Sequence, residues 1–166
     1  MGILELFKIA PLRHFALNRL RQQTIAPYNK QIFIMHSSND SDLIALIKEN
    51  FPPGVNPYFA SQWREARIPL DKIVDQLSAS AAAFVLWTRN VVESPRTRDW
   101  IMFELGVAKT LVEIGLLSGR IWGWHSEDAE LTDLLKSITQ FVTFNRWDST
   151  SCLSMVMEMK DTVSQV

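Results

Sequence analysis

Five short apolar runs, each followed by polar residues and then by helix-spaced apolar positions, organise most of this chain. The first is Gln31-Ile32-Phe33-Ile34-Met35, with nothing polar after Gln31. Apolar residues on consecutive rather than alternate positions predict a strand buried on both faces, as in parallel sheets. The run stops at His36-Ser37-Ser38-Asn39-Asp40-Ser41-Asp42, a polar loop rich in helix N-cap residues. Leu43, Ile44, Leu46 and Ile47 then make a helical stripe that ends at Phe51-Pro52-Pro53-Gly54. Residues 55–60 predict a second, weaker strand and 61–70 a loop. Residues 71–79 predict a short helix with Ile73, Val74 and Leu77 inward.

Ala82-Ala83-Phe84-Val85-Leu86-Trp87 is the clearest strand. Residues 88–99 are polar and contain Pro95, which predicts mostly loop. A long helix is expected over 100–114, apolar around much of its surface and punctuated by Gly115 and Gly119. Residues 120–124 predict a fourth strand, 131–138 a small helix and 140–144 a fifth strand. A last helix covers at least 153–159. Strands alternating with helices in this way imply parallel strands joined by right-handed crossovers. The expected fold class is α/β: a flavodoxin-like, doubly wound, five-stranded parallel sheet with helices on both faces. Ligands of such folds sit beyond the carboxyl ends of the strands. That rule selects the loops after Met35, Ala60, Trp87 and Trp124.

Ahead of this pattern, residues 1–28 place Leu4, Phe7, Ile9, Leu12, Phe15, Ala16 and Leu20 at amphipathic helical spacing, interrupted near Pro11. They read as a helical segment appended to a domain at 29–166. A helix docked on the domain or on another subunit is the plain interpretation. A membrane-surface helix and a targeting segment are the alternatives. Residues 1–30 carry five basic side chains against Glu5 alone, a net +4, which leaves −5 for the remainder of a chain of net charge −1. Nothing global therefore points to nucleic acid. No apolar run approaches the length of a bilayer span. Cys152 is the only cysteine, and His14, His36 and His125 are far apart, so neither a disulfide framework nor a metal site is expected. The cysteine count fits a reducing cytoplasm. The loop after the first strand lacks G-x-G-x-x-G, and the chain lacks a Walker P-loop, which disfavours a dinucleotide-dependent oxidoreductase.

The run Ile32-Phe33-Ile34-Met35 with the loop His36 to Asp40 resembles the opening strand and loop of Toll/interleukin receptor (TIR) domains. So does the strand ending at Trp87, followed by Ser94 and by Asp99-Trp100-Ile101-Met102-Phe103-Glu104. There a tryptophan precedes a glutamate by four positions, as Trp100 precedes Glu104. The resemblance covers about residues 31–148, and residues 63–70 fall where that family places its BB loop. In one respect the chain departs from the family. Trp63-Arg64-Glu65-Ala66-Arg67-Ile68-Pro69 contains no glycine, so backbone angles open to the family's loop are resisted at Ala66.

The resemblance implies one of two functions. TIR enzymes cleave NAD+ at the nicotinamide–ribose bond, giving nicotinamide and ADP-ribose or a cyclic product, often after self-assembly in a defence or signalling pathway. NAD+ is then a substrate, and no cofactor is needed. Other TIR domains are adaptors that act only through homotypic association, with an upstream sensor or a downstream effector as partner. A nucleoside deoxyribosyltransferase-like enzyme shares the architecture and is a third option.

For the enzyme, the family's essential glutamate falls on Glu104. Cleaving an N-glycosidic bond builds positive charge on the ribose, and a carboxylate beside it stabilises that charge. The residues themselves leave a surface glutamate early in a helix as the alternative. The apolar neighbours Trp100, Ile101, Phe103 and Leu105 argue against a plainly solvated face. His36, Ser37, Ser38 and Asp40 are expected to hold ribose or diphosphate, or else simply to end a strand and cap a helix. Trp63, Trp87, Trp100 and Trp124 are expected to line the site as aromatic platforms for flat bases, with Trp124 closing it as an aromatic after the fourth strand does in the family, or else to pack in the core or at its rim. Arg64 is expected to meet phosphate, or else to be an ordinary solvated surface arginine.

Overall fold

The computed structural model describes residues 30–59, 70–117 and 120–166. The helical segment expected at 1–28 lies outside them, as do Trp63 and Arg64. Strands β1 (Lys30–Met35), β2 (Val55–Phe59), β3 (Ala82–Trp87), β4 (Ile121–Ser126) and β5 (Phe141–Phe144) form one sheet in the order β2-β1-β3-β4-β5. Every neighbouring pair is parallel. This is the flavodoxin-like, doubly wound order that the alternating pattern implies. Connecting these strands are α1 (Ser41–Asn50), α2 (Leu70–Ser78), α3 (Arg89–Glu93), α4 (Pro95–Glu113) and α5 (Asp133–Ile138). The C-terminal helix α6 (Ser149–Ser164) follows β5.

The sheet divides the interior into two layers because successive side chains of a strand point to opposite faces. On one face Phe33, Met35, Ala83, Val85 and Trp87 pack with Ile73, Val74 and Leu77 of α2 and with Ile101, Leu105, Ala108 and Leu111 of α4. On the other, Ile32, Ile34, Phe84, Leu86 and Trp124 pack with Leu43 and Ile47 of α1 and with Met155, Val156 and Met159 of α6. Central strand β3 is fully buried along its six residues, which explains its unbroken apolar run. At Gly123 of β4 an added Cβ would meet the Phe141 ring at 2.5 Å, so glycine is what leaves room for that ring.

The structure differs from the sequence expectation most over residues 88–99. They are helical for most of their length rather than loop. Pro95 starts α4 instead of interrupting a loop, because proline has no N–H to lose at a first helical position. Ser94 precedes it as N-cap and accepts a hydrogen bond from the Thr97 amide at 3.4 Å. The fourth strand continues through His125 and Ser126, and α6 runs well past both ends of the predicted stretch.

Candidate functional site

Glu104 is the tenth of the nineteen residues of α4. It lies about 14 Å along the helix from Pro95. It shares the inward stripe of Ile101, Leu105, Ala108 and Leu111 at three- and four-residue spacing, and only 1% of its surface is exposed. Neither carboxylate oxygen has a well-formed hydrogen bond. Burial pushes the carboxyl up to about 8, and a hydrogen bond from the Trp100 side chain, one turn earlier, pulls the other way. Trp100 itself is half-buried and tilts against the partly exposed Phe103 ring at 5.7 Å between centroids. Met35 and Trp87, the last residues of β1 and β3, belong to the same apolar cluster as Ile101 and Leu105.

The carboxyl rim of the sheet holds a second arrangement, around Asp40. Asp40 is completely buried. Its Oδ2 accepts from Thr88 Oγ1 at 2.7 Å and its Oδ1 from Asn90 Nδ2 at 2.6 Å. Arg146 Nη2 stands 3.6 Å from Asp40 and 2.7 Å from Asp42. Asp40 and Thr88 occupy the N-cap positions of α1 and α3, yet neither side chain caps its own helix. They bond to each other instead, tying the loop after β1 to the loop after β3. Arg146 adds the loop after β5. Burial works against its charge, and the hydrogen bond to Asp42 and the nearness of Asp40 more than restore it.

The other expected site residues fall into three groups. Ser37 is buried, with its Oγ accepting from the Asn39 amide at 3.2 Å and its carbonyl facing His36 Nδ1 at 2.8 Å. His36 packs edge-on against Phe59 at 5.3 Å, while Ser38 is partly exposed at the loop's turn. All three lie in the loop at the carboxyl end of β1, with only Ser38 partly open to solvent. Trp87 is on the Glu104 side of the sheet, but its ring is 1% exposed and its Nε1 donates to the Glu130 carbonyl at 3.0 Å. It is core rather than wall.

Trp124 requires the clearest correction. It sits within β4 and is 2% exposed, its ring 4.8 Å from that of Phe84 and its Nε1 3.4 Å from Glu158 Oε2. It belongs to the α1/α6 layer, so the sheet separates it from Glu104. The side of the sheet decides this, and an aromatic's position after a strand carries no information about it. Asp40 is corrected in a smaller way, since its carboxylate is already spent on Thr88, Asn90 and Arg146. Those three partners were missed by sequence reasoning. Applying the carboxyl-edge rule to the fifth strand as well as the first four leads directly to Arg146.

Among the described residues no cluster of His, Cys, Asp and Glu is arranged to hold a metal, and no helix is long and apolar enough to cross a membrane. No protein-family model matches the chain, and no curated protein matches it. One solved structure of similar chain path is a CMP N-glycosidase of Clostridium botulinum, BcmB. It is 17% identical, with 78% of this chain and 99% of that chain covered at a TM-score of 0.46. The likeness is one of fold and carries no argument about chemistry.

Proposed function

We propose that this protein is a TIR-type N-glycosidase that cleaves NAD+ between nicotinamide and ribose, with Glu104 as its catalytic carboxylate. The observation that carries the reading is the near-complete burial of the Glu104 carboxyl in the middle of an apolar stripe, with the Trp100 side chain as its hydrogen-bonding neighbour and no well-formed bond to either oxygen. A buried polar group without a partner costs stability that a leucine at the same position would not. Such a cost is the usual mark of a residue kept for what it does to a ligand.

The chemistry asks for one carboxylate. The C1′–N bond breaks and its electron pair leaves with nicotinamide, which thereby loses its positive charge. The ribose takes up that charge, and ionised Glu104 beside it lowers the barrier. Water then adds to C1′ and its proton passes to solvent, giving ADP-ribose. Attack by a nitrogen of the adenine in place of water gives the cyclic product. In this reading the loop of His36, Ser37 and Ser38 meets the sugar or diphosphate.

The adaptor reading has one observation in its favour. Trp147 exposes 81% of its surface on a turn held by the Asn145, Asp148 and Ser151 side chains, and a displayed tryptophan suits a protein interface. The two readings separate on one measurement, nicotinamide release from NAD+ by the full chain, dilute and concentrated. Release is expected, and Glu104→Gln should reduce it by about a thousandfold or more. Unchanged release from the variant, or none from the wild type in either state, overturns the proposal.

A further inference from the structure

We infer that residues 12–20 dock as an amphipathic helix on the exposed strip of α6 formed by Leu153 and Met157, adding a third helix to the face of the sheet that carries fewer. The strip lies across the sheet from Glu104, so the inference is independent of the chemistry read there.

Cover over the two faces is unequal. Among the described residues, α2, α3, α4 and α5 all bury side chains on the Glu104 side, while α1 and α6 alone do so on the other. Apolar exposure gathers late in the chain to match. Of the six large hydrophobic side chains exposed among the described residues, five lie between Leu134 and Met157. Single exposed apolar residues are ordinary on any surface. Leu153 and Met157 are a pair, one turn apart on α6 and each 44% exposed, so they stack on one side of the helix. Cys152, Met155, Val156, Met159 and Val163 already form its buried stripe, and the pair stands outside that stripe. Trp147 is displayed just ahead of the same helix.

The occupant is identified by where the chain ahead of Lys30 must leave the domain. Lys30 opens β1 beside Val55 of β2, and the next carbonyl, that of Gln31, accepts from the Ala81 amide at 2.8 Å. Val55 and Ala81 pack in one cluster with Val163 and Val166, at the C-terminal end of α6. Residues ahead of Lys30 therefore depart next to that end. Met157 lies about 9 Å back along the helix from Val163, and Leu153 about 15 Å back. Residues 21–29 can span about 30 Å, which is ample. After Pro11, Leu12, Phe15, Ala16 and Leu20 recur at helical spacing, with Arg13, Arg19 and Arg21 among and just beyond them. Charge also agrees. Residues 1–30 carry +4 and the remainder −5, and Glu49 of α1 and Glu158 and Asp161 of α6 are exposed acids on the two helices of this face. An anionic lipid surface offers similar chemistry; the point of departure and the uncovered strip within reach favour α6.

The test uses the full chain with isotope-labelled methionine methyl groups and a nitroxide on Asn18→Cys, a position off the apolar spacing. Cys152 is buried, so the reagent takes the new cysteine. The Met157 methyl signal should be lost, while that of Met102, across the sheet on α4, should persist. Leu153→Glu, a change at an exposed position, should bring the Met157 signal back. A mixture of nitroxide-bearing chains without isotope and isotope-labelled chains without nitroxide should leave Met157 at full intensity. Loss in that mixture would place the segment on a second copy and overturn the inference. An undiminished Met157 signal in the doubly labelled chain overturns it too, as does a loss that Leu153→Glu does not reverse. Capture of the chain by anionic phospholipid vesicles, with Met157 untouched by the nitroxide, would make the segment a membrane-surface helix instead.

Discussion

Asp40 and Glu104 are both almost wholly buried, at 0% and 1% exposed, and their surroundings are opposite. Asp40 accepts two hydrogen bonds and faces the Arg146 guanidinium, while Glu104 has no well-formed bond to either oxygen. Burial resolves Glu104 as an acid of raised pKa, whereas Asp40 is held as the hub of three loops. A satisfied buried carboxylate organises structure, and an unsatisfied one waits for something from outside. The two residues therefore answer differently to mutation.

The largest stability effect should come from removing the charge of Glu104. In the unfolded chain this group ionises near 4.5, and in the folded protein near 8. Between those values the folded state binds more protons than the unfolded one, so stability falls as pH rises through that window and levels off above it. The shift caps the loss at about 5 kcal/mol. Glu104→Gln has no proton to lose. Relative to wild type it should gain stability from pH 5 to about pH 8 and hold that gain above it, measured by urea unfolding at several pH values. A difference that stays flat with pH would show that burial does not set the protonation of Glu104.

Asp40→Ala comes next. It leaves Thr88 Oγ1 without its acceptor in a buried place and removes the carboxylate that Arg146 faces. The expected cost is about 3 kcal/mol, seen as a lower denaturation midpoint at unchanged slope. The rim loops lose their tie, so nicotinamide release should also weaken, mainly through KM. A variant as stable as wild type would show that the hub is not what holds the loops.

These two carboxylates also mark where the sequence could be read and where it could not. The sheet was legible because β3 and β1 are apolar on consecutive positions, which only a doubly covered strand tolerates. The burial of Glu104 was legible because a carboxyl stood among Trp100, Ile101, Phe103 and Leu105. Residues 88–99 misled because Pro95 reads as a loop breaker in a polar stretch and as a helix starter only once Ser94 is seen to cap it. Asp40 looked like a cap, and nothing local says that its carboxylate bonds to Thr88 and Asn90, about fifty positions away. Trp124 misled for a related reason, since which face of β4 carries the ligand depends on where α4 and α6 pack.

The smallest effect should come from Arg146→Met, because several contributions nearly cancel. Arginine there is only 11% exposed, and one of its terminal nitrogens is buried without a partner, a cost that methionine removes. Methionine also keeps most of the apolar stem contact. Against this, Asp40 keeps its two hydrogen bonds but loses the nearby cation, and Asp42 loses its bond to Arg146. Asp42 is 68% exposed, so solvent screening makes that pair weak. The net change should be about 1 kcal/mol of destabilisation at neutral pH and low salt. Its dependence on conditions identifies the source. Arg146 lowers the Asp42 pKa from its ordinary 3.8, first through their hydrogen bond. The stability linked to that group is present above 3.8 and fades as pH falls through the lowered value. The difference between Arg146→Met and wild type should therefore shrink on acidification and in high salt, followed by thermal unfolding. A cost that persists unchanged in both would place Arg146 with Asp40, as a buried partner whose charge the rim cannot do without.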